Sequence, residues 1–246
     1  MPSTDEASPI TIQIEPMPSS TPTSGQLSAD ALDRALLATV QILVPPDNGQ
    51  DSSSGSGSIL TSQGHILTNF HVVGNPDTGQ LFNNSTQINI ATSGDLRESV
   101  EVRYLGQVLE YDLKLDLALI KITATKNGSP LPENLNLITF PIGDSESVRI
   151  GQELSIIGFP GLGGNSVTFT KGTVSGFLTN EGWVKTDAEI NFGNSGGAAI
   201  NQAGELVGVP SAAAGETVEL PGKIGLVRPL KLAQPLIDRA FREAGE

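Results

Sequence analysis

The stretch Asn191-Phe192-Gly193-Asn194-Ser195-Gly196-Gly197 sets one serine in a glycine-rich turn. A nucleophilic serine needs an accessible hydroxyl on a tight turn, with backbone N–H groups aimed at the oxyanion that develops during attack. Gly193 allows the backbone geometry that turns its amide toward that point. Gly196 and Gly197 are expected to leave room for a substrate chain. Taken alone, the pattern also fits an ordinary glycine turn between strands. A second stretch, Gly64-His65-Ile66-Leu67-Thr68-Asn69-Phe70-His71-Val72-Val73, holds both histidines of the chain. An imidazole serves as general base because it titrates near neutrality. His71, on a turn after the strand ending near Thr68, is the candidate. His65, directly after a turn, reads as a solvated side chain. A third stretch, Tyr111-Asp112-Leu113-Lys114-Leu115-Asp116-Leu117-Ala118-Leu119-Ile120-Lys121-Ile122, places Asp116 at the head of an apolar strand. A carboxylate there is at least partly buried and needs a compensating partner. Accepting a bond from the imidazole supplies one and fixes the tautomer that faces the serine. Asp112 is the rival, but it lies outside the apolar run and reads as solvated.

These side chains must be positioned by a scaffold, and the rest of the sequence describes one. With 28 glycines and 16 prolines among 246 residues, short apolar runs are repeatedly cut by turns, which predicts an all-β fold. The runs are Val40–Val44, Ser58–Thr61, His65–Thr68, Gln87–Ala91, Ser99–Leu105, Leu117–Ile122, Leu154–Phe159, Gly172–Leu178, Trp183–Lys185, Ala198–Asn201 and Glu205–Val209. Around a dozen strands with no regular helix between them fit two antiparallel barrels. A short helix is expected from Ser28, its N-cap, to about Thr39. A second, at about 230–244, is expected to pack on the second barrel through Leu232, Leu236, Ile237, Ala240 and Phe241. Residues 1–28 are rich in Ser, Thr and Pro and read as a flexible leader or linker, with Ile10–Ile14 as a strand-like exception. The folded unit is then 29–246, with the first barrel at about 38–126, the polar stretch Asn127–Asn136 as junction, and the second barrel at about 135–230.

Bulk properties exclude other classes. A formal net charge of −13 opposes binding to nucleic acid or anionic lipid. No run approaches the ~20 apolar residues of a membrane span, and no signal peptide is visible. Without cysteine, and with only two histidines, no metal site or cofactor is expected. Gly161-Leu162-Gly163-Gly164 lacks the lysine and helix of a phosphate loop and reads as a loop bordering the site.

Five blocks resemble the HtrA-type (Deg-like) trypsin-like serine proteases in order and spacing: Gly55–Leu60, Thr68–Val73, Asp116–Ile122, Gly158–Gly161, and Thr186–Ala188 through Gly193–Gly197. The resemblance covers about residues 35–230. It implies two six-stranded barrels with the site in the cleft between them. It implies a triad of His71 from the first barrel, Asp116 near the cleft and Ser195 from the second, with oxyanion donors at the amides of Gly193 and Ser195 and a third candidate at Asn194. It implies an endopeptidase acting on unfolded or exposed polypeptide, and it favours an extracytoplasmic compartment over the cytoplasmic alternative. The sequence departs from the family at Phe192, where Pro or Arg is frequent, at Gly197-Ala198-Ala199, where Gly-Pro-Leu is common, and at Glu189, where small residues are usual. The PDZ domain that usually follows is not expected in this sequence. The alternatives are an inactive protease fold serving as a peptide-binding scaffold, disfavoured because all three triad types are present, and a protease dedicated to one partner.

The resemblance also implies that the pocket for the residue on the acyl side of the cut is built from Glu189, Asn191, Phe192, Val209, Ser211, Ala212 and Gly225. Glu189 at its base would select Lys or Arg. If instead it points aside to pair with Lys185 or Arg228, small aliphatic residues are favoured.

Overall fold

A computed structural model describes residues 27–46, 52–85, 88–160, 166–212 and 224–244. The leader, the Ile10–Ile14 run and the Gly161–Gly164 loop lie outside the described residues. The chain enters through helix α1 (Ala29–Leu37), whose N-cap Ser28 accepts from the Ala31 amide. Six strands follow that close into a barrel: β1 (Thr39–Val44), β2 (Ser53–Ile59), β3 (His65–Thr68), β6 (Ile88–Thr92), β7 (Glu101–Asp112) and β8 (Leu117–Thr125), in spatial order β1-β2-β3-β8-β7-β6. Between β3 and β6 come a one-turn helix α2 (Phe70–Val73) and the two-residue strands β4 (Gly74–Asn75) and β5 (Gln80–Leu81). After β8 there is no further barrel strand until β9 (Glu153–Gly158). That strand opens a second closed barrel with β10 (Thr168–Leu178), β11 (Trp183–Thr186), β12 (Ala198–Ile200), β13 (Leu206–Ser211) and β14 (Gly225–Pro229), ordered β10-β11-β14-β13-β12-β9. Closure pairs every barrel strand and leaves no open edge. The two six-stranded antiparallel barrels are those expected.

Strand β8 shows how the sequence divides its faces. Ala118, Ile120 and Ile122 point into the first barrel. Leu117 and Leu119 join a second cluster with Ile157, Ala198, Ile200, Leu206 and Val209 of the other barrel. With period-2 alternation, both faces buried give an unbroken apolar run.

The C-terminal helix, α3 (Gln234–Ala244), corrects one expectation. It packs mainly on β7 and β8 of the first barrel, while the 3₁₀ turn before it, Leu230–Ala233, stays with β13 and β14. Leu236, Ile237 and Ala240 therefore sink into the cluster between the barrels, and the chain end straps one barrel to the other.

His65 is a second correction. It is 1% exposed, because its register places it under α3, edge-on to Phe241 with ring centroids 4.6 Å apart. Its Nδ1 lies 2.7 Å from Thr61 Oγ1, and its Nε2 3.3 Å from Lys121 Nζ. An ammonium can only donate, so the ring proton sits on Nδ1.

Candidate active site

Each candidate triad residue stands next to a barrel strand: His71 follows β3, Asp116 precedes β8 and Ser195 precedes β12. His71 lies on α2, and both oxygens of Asp116 hold it: Asp116 Oδ2 is 2.8 Å from His71 Nδ1, and Oδ1 accepts the His71 amide at 3.0 Å. This two-point clamp fixes the ring's position and its tautomer together. With Nδ1–H donating to the carboxylate, the lone pair is on Nε2.

Asp116 is not yet in a strand. Its φ is +55°, a left-handed conformation that costs a non-glycine residue about 1 kcal/mol. The turn before it is tied by Asp112, whose Oδ1 accepts the Leu115 amide at 3.0 Å, and by the Asp116 amide on Leu113 O at 3.3 Å. Asp112 thus shapes the loop that presents Asp116. Downstream, the fully buried Asn69 donates from Nδ2 to Asp116 O at 2.7 Å. Ser211 Oγ donates to Asp116 Oδ2 at 3.4 Å.

Ser195 is 4% exposed. Among the described residues its Oγ accepts from the Ala212 amide at 3.0 Å and is not bonded to His71. The turn before it closes through the Asn194 amide on Asn191 O, 2.9 Å. With φ +96° at Gly193, its third residue, this is a type II turn, a geometry that calls for glycine. The Asn194 amide is therefore spent within the turn, which corrects its expectation as an oxyanion donor. The amides of Gly193 and Ser195 donate to no group among the described residues.

Gly196 and Gly197 correct another reading. A Cβ on Gly196 would lie 2.1 Å from Thr68 Oγ1, and one on Gly197 2.2 Å from Ile157 O. They are small because the serine turn is pressed into both barrels, not to admit a substrate. Strand β2 grips that turn. Ser56 N donates to Ser195 O at 2.8 Å, Ser56 Oγ to Gly193 O at 2.6 Å, and Ser58 Oγ to Gly197 O at 3.1 Å. Ser56, Asn69 and Arg228 escaped the sequence reading as site residues, since none bears the reacting groups. The first two do stand in the quoted motif blocks.

The expected pocket residues separate. Asn191 and Phe192 are exposed, Phe192 by 67%. Val209 is fully buried in the cluster between the barrels and so is not the wall expected. Ser211 stands next to Ala212 and turns its hydroxyl to Asp116. Ala212 is half-buried beside Ser195. Glu189 is exposed, and its backbone carbonyl takes Thr170 Oγ1 at 2.8 Å. Arg228 donates to backbone carbonyls elsewhere. Glu189 thus points aside, as in the second reading, but among the described residues it forms no ion pair with Lys185 or Arg228. Ile190 is the residue that lies over Gly225, its Cδ1 2.7 Å from where a Cβ would be.

Residues 55–209 match the family model described as a trypsin-like peptidase domain. The chain is 31% identical over 205 residues to the serine endoprotease DegS of Haemophilus influenzae, covering 80% of this chain and 53% of that protein. It is 33% identical over 201 residues to a probable periplasmic serine endoprotease, DegP-like, of Marinomonas, covering 79% and 37%. Among solved structures, a serine endoprotease from Yersinia pestis superposes with a TM-score of 0.65 at 30% identity, over 87% of this chain and 66% of that one. The chain spans about half or less of the curated relatives' length. On the match over most of its folded part, the chain belongs to the trypsin-like peptidase domain family, in its HtrA-type, Deg-like branch.

Proposed function

We propose that the protein is a serine endopeptidase working through Ser195, His71 and Asp116. The observation that carries this is the carboxylate clamp on His71, which leaves Nε2 as the free base in the cleft. Ser195 Oγ attacks the scissile carbonyl while His71 Nε2 takes its proton. Asp116 stabilises the imidazolium so formed. The tetrahedral oxyanion is received by the Gly193 and Ser195 amides, the donors left uncommitted by the type II turn. His71 then returns its proton to the departing amine, and an acyl-enzyme on Ser195 is released by water that His71 activates. In the resting conformation the hydroxyl sits on the Ala212 amide; the mechanism has it exchange that bond for Nε2 when substrate docks, as apo sites commonly require.

Ile190 over Gly225, with Glu189 turned to solvent, favours small aliphatic residues on the acyl side of the cut. Substrates are unfolded or exposed polypeptide segments, and the compartment is extracytoplasmic, as the name of the Marinomonas relative suggests. Cleavage of a peptide library by wild type, Ser195→Ala and Glu189→Ala tests this. Aliphatic cuts that vanish in Ser195→Ala and persist in Glu189→Ala support the proposal. A Lys/Arg preference that collapses in Glu189→Ala would overturn the pocket reading, and cutting by Ser195→Ala would overturn the mechanism.

A further inference from the structure

Arg228 is the only lysine or arginine among the described residues that is fully buried, at 3% exposure. Burying a guanidinium is expensive unless its donors are used. Here they go to two loops. Nε donates to Leu115 O at 2.9 Å, and Nη1 donates to Glu181 O at 2.6 Å and Gly182 O at 3.1 Å. The plane lies over the ring of Trp183, 3.4 Å from its centroid. No carboxylate pairs with it among the described residues, so the group is spent on backbone carbonyls.

The choice of Leu115 O matters because that carbonyl belongs to the peptide unit entering Asp116. The N–H of the same unit bonds Leu113 O, and the unit leaving Asp116 is held at its carbonyl by Asn69. The peptide planes on both sides of the left-handed Cα are thus pinned, one from the first barrel by Asn69 and one from the second by Arg228. A left-handed aspartate persists only when its surroundings over-determine it. The charged groups facing Arg228 are Asp116 and Asp112 from the β7–β8 turn and Glu181 from the β10–β11 turn. Burial pulls its pKa down from the ordinary guanidinium range to about 10, with Asp116 the foremost of the charges pulling the other way, so it stays charged at neutral pH.

We propose that Arg228 is a positioning residue for the triad: it holds the backbone of Asp116 from the opposite barrel, and with it the carboxylate that clamps His71. This rests on the triad reading above.

Two variants test this. Arg228→Lys keeps the charge but loses the planar fork. It is expected to lower kcat about 10- to 100-fold, as small misplacements of catalytic groups do, with KM unchanged. Arg228→Met loses charge and fork together and is expected to lower kcat at least as far, again with KM unchanged. Folding of each is checked by far-UV circular dichroism, because Trp183 lies against the substituted side chain and its emission changes in a folded variant too; if Arg228→Met does not fold, Arg228→Lys carries the test. Folded variants with wild-type kcat, changed only in melting temperature, would overturn the proposal. Titrating the wild-type active site with a fluorophosphonate beforehand keeps the two readings apart: a wild type that takes up no label refutes the triad, whereas labelled wild type with indifferent Arg228 variants refutes only the positioning role.

Discussion

At the scale of single residues, the account assigns Asp116 two tasks through two oxygens, one on the imidazole and one on the His71 backbone. Replacing it by Asn keeps the size but offers an amide where Nδ1–H needs an acceptor. Asp116→Asn is expected to fold normally and lose about four orders of magnitude in kcat, because the other ring tautomer becomes favoured. Asp112→Asn keeps an oxygen for the Leu115 amide and is expected to change kcat little. Steady-state kinetics of the pair decide the assignment, and a dead Asp112→Asn beside an active Asp116→Asn would reverse it. With a neutral imidazole as the proposed base, kcat/KM is expected to rise with pH across about pH 5 to 8. A flat profile over that range would remove histidine from the mechanism.

At the scale of elements, β2 couples the serine turn to the first barrel. Ser56 alone binds Gly193 O and Ser195 O and accepts the Phe159 amide at 2.8 Å. Ser56→Ala leaves the buried Phe159 amide without a partner, at about 1–3 kcal/mol, and the part-buried Gly193 carbonyl without its hydroxyl donor. It is expected to lower the melting temperature by several degrees and to reduce turnover with it. Calorimetry with unchanged turnover would show that the turn holds its geometry without β2. This strand also marks where the sequence was hard to read. Its residues are Ser53-Ser54-Gly55-Ser56-Gly57-Ser58-Ile59, and only the end shows an apolar signal. The glycines are there because a Cβ at Gly57 would lie 2.5 Å from Ile66 Cγ2, and one at Gly55 2.6 Å from Val72 Cγ2, a tertiary constraint that leaves no periodic trace. Strand β14, Gly225–Pro229, hid in the same way, since a buried arginine and a proline mask a five-residue strand. Runs with a simple face assignment, such as β8 and β9, were legible from alternation or from an unbroken apolar stretch. The three proposed triad side chains were legible because their chemistry restricts residue type. The residues that hold them were not, since a serine, an asparagine and an arginine at those positions acquire meaning only when the barrels meet.

At the scale of the molecule, the site exists only where two barrels are held together. His71 and Asp116 come from one, Ser195 and Arg228 from the other, and α3 straps across them. Leu236, 1% exposed, lies in the cluster that joins the two. Leu236→Ala is expected to cost about 2–5 kcal/mol, as buried Leu→Ala changes do, and to lower the melting temperature in one cooperative transition. Two resolved transitions in a calorimetric scan would show barrels that unfold independently. The central claim, that Ser195 is a nucleophile activated by His71 and Asp116, is tested most directly by mass spectrometry after exposure to a fluorophosphonate. The account predicts a single covalent adduct on Ser195, absent in Ser195→Ala and formed far more slowly in Asp116→Asn. A folded wild type that takes up no label, or that carries it on another serine, would contradict it.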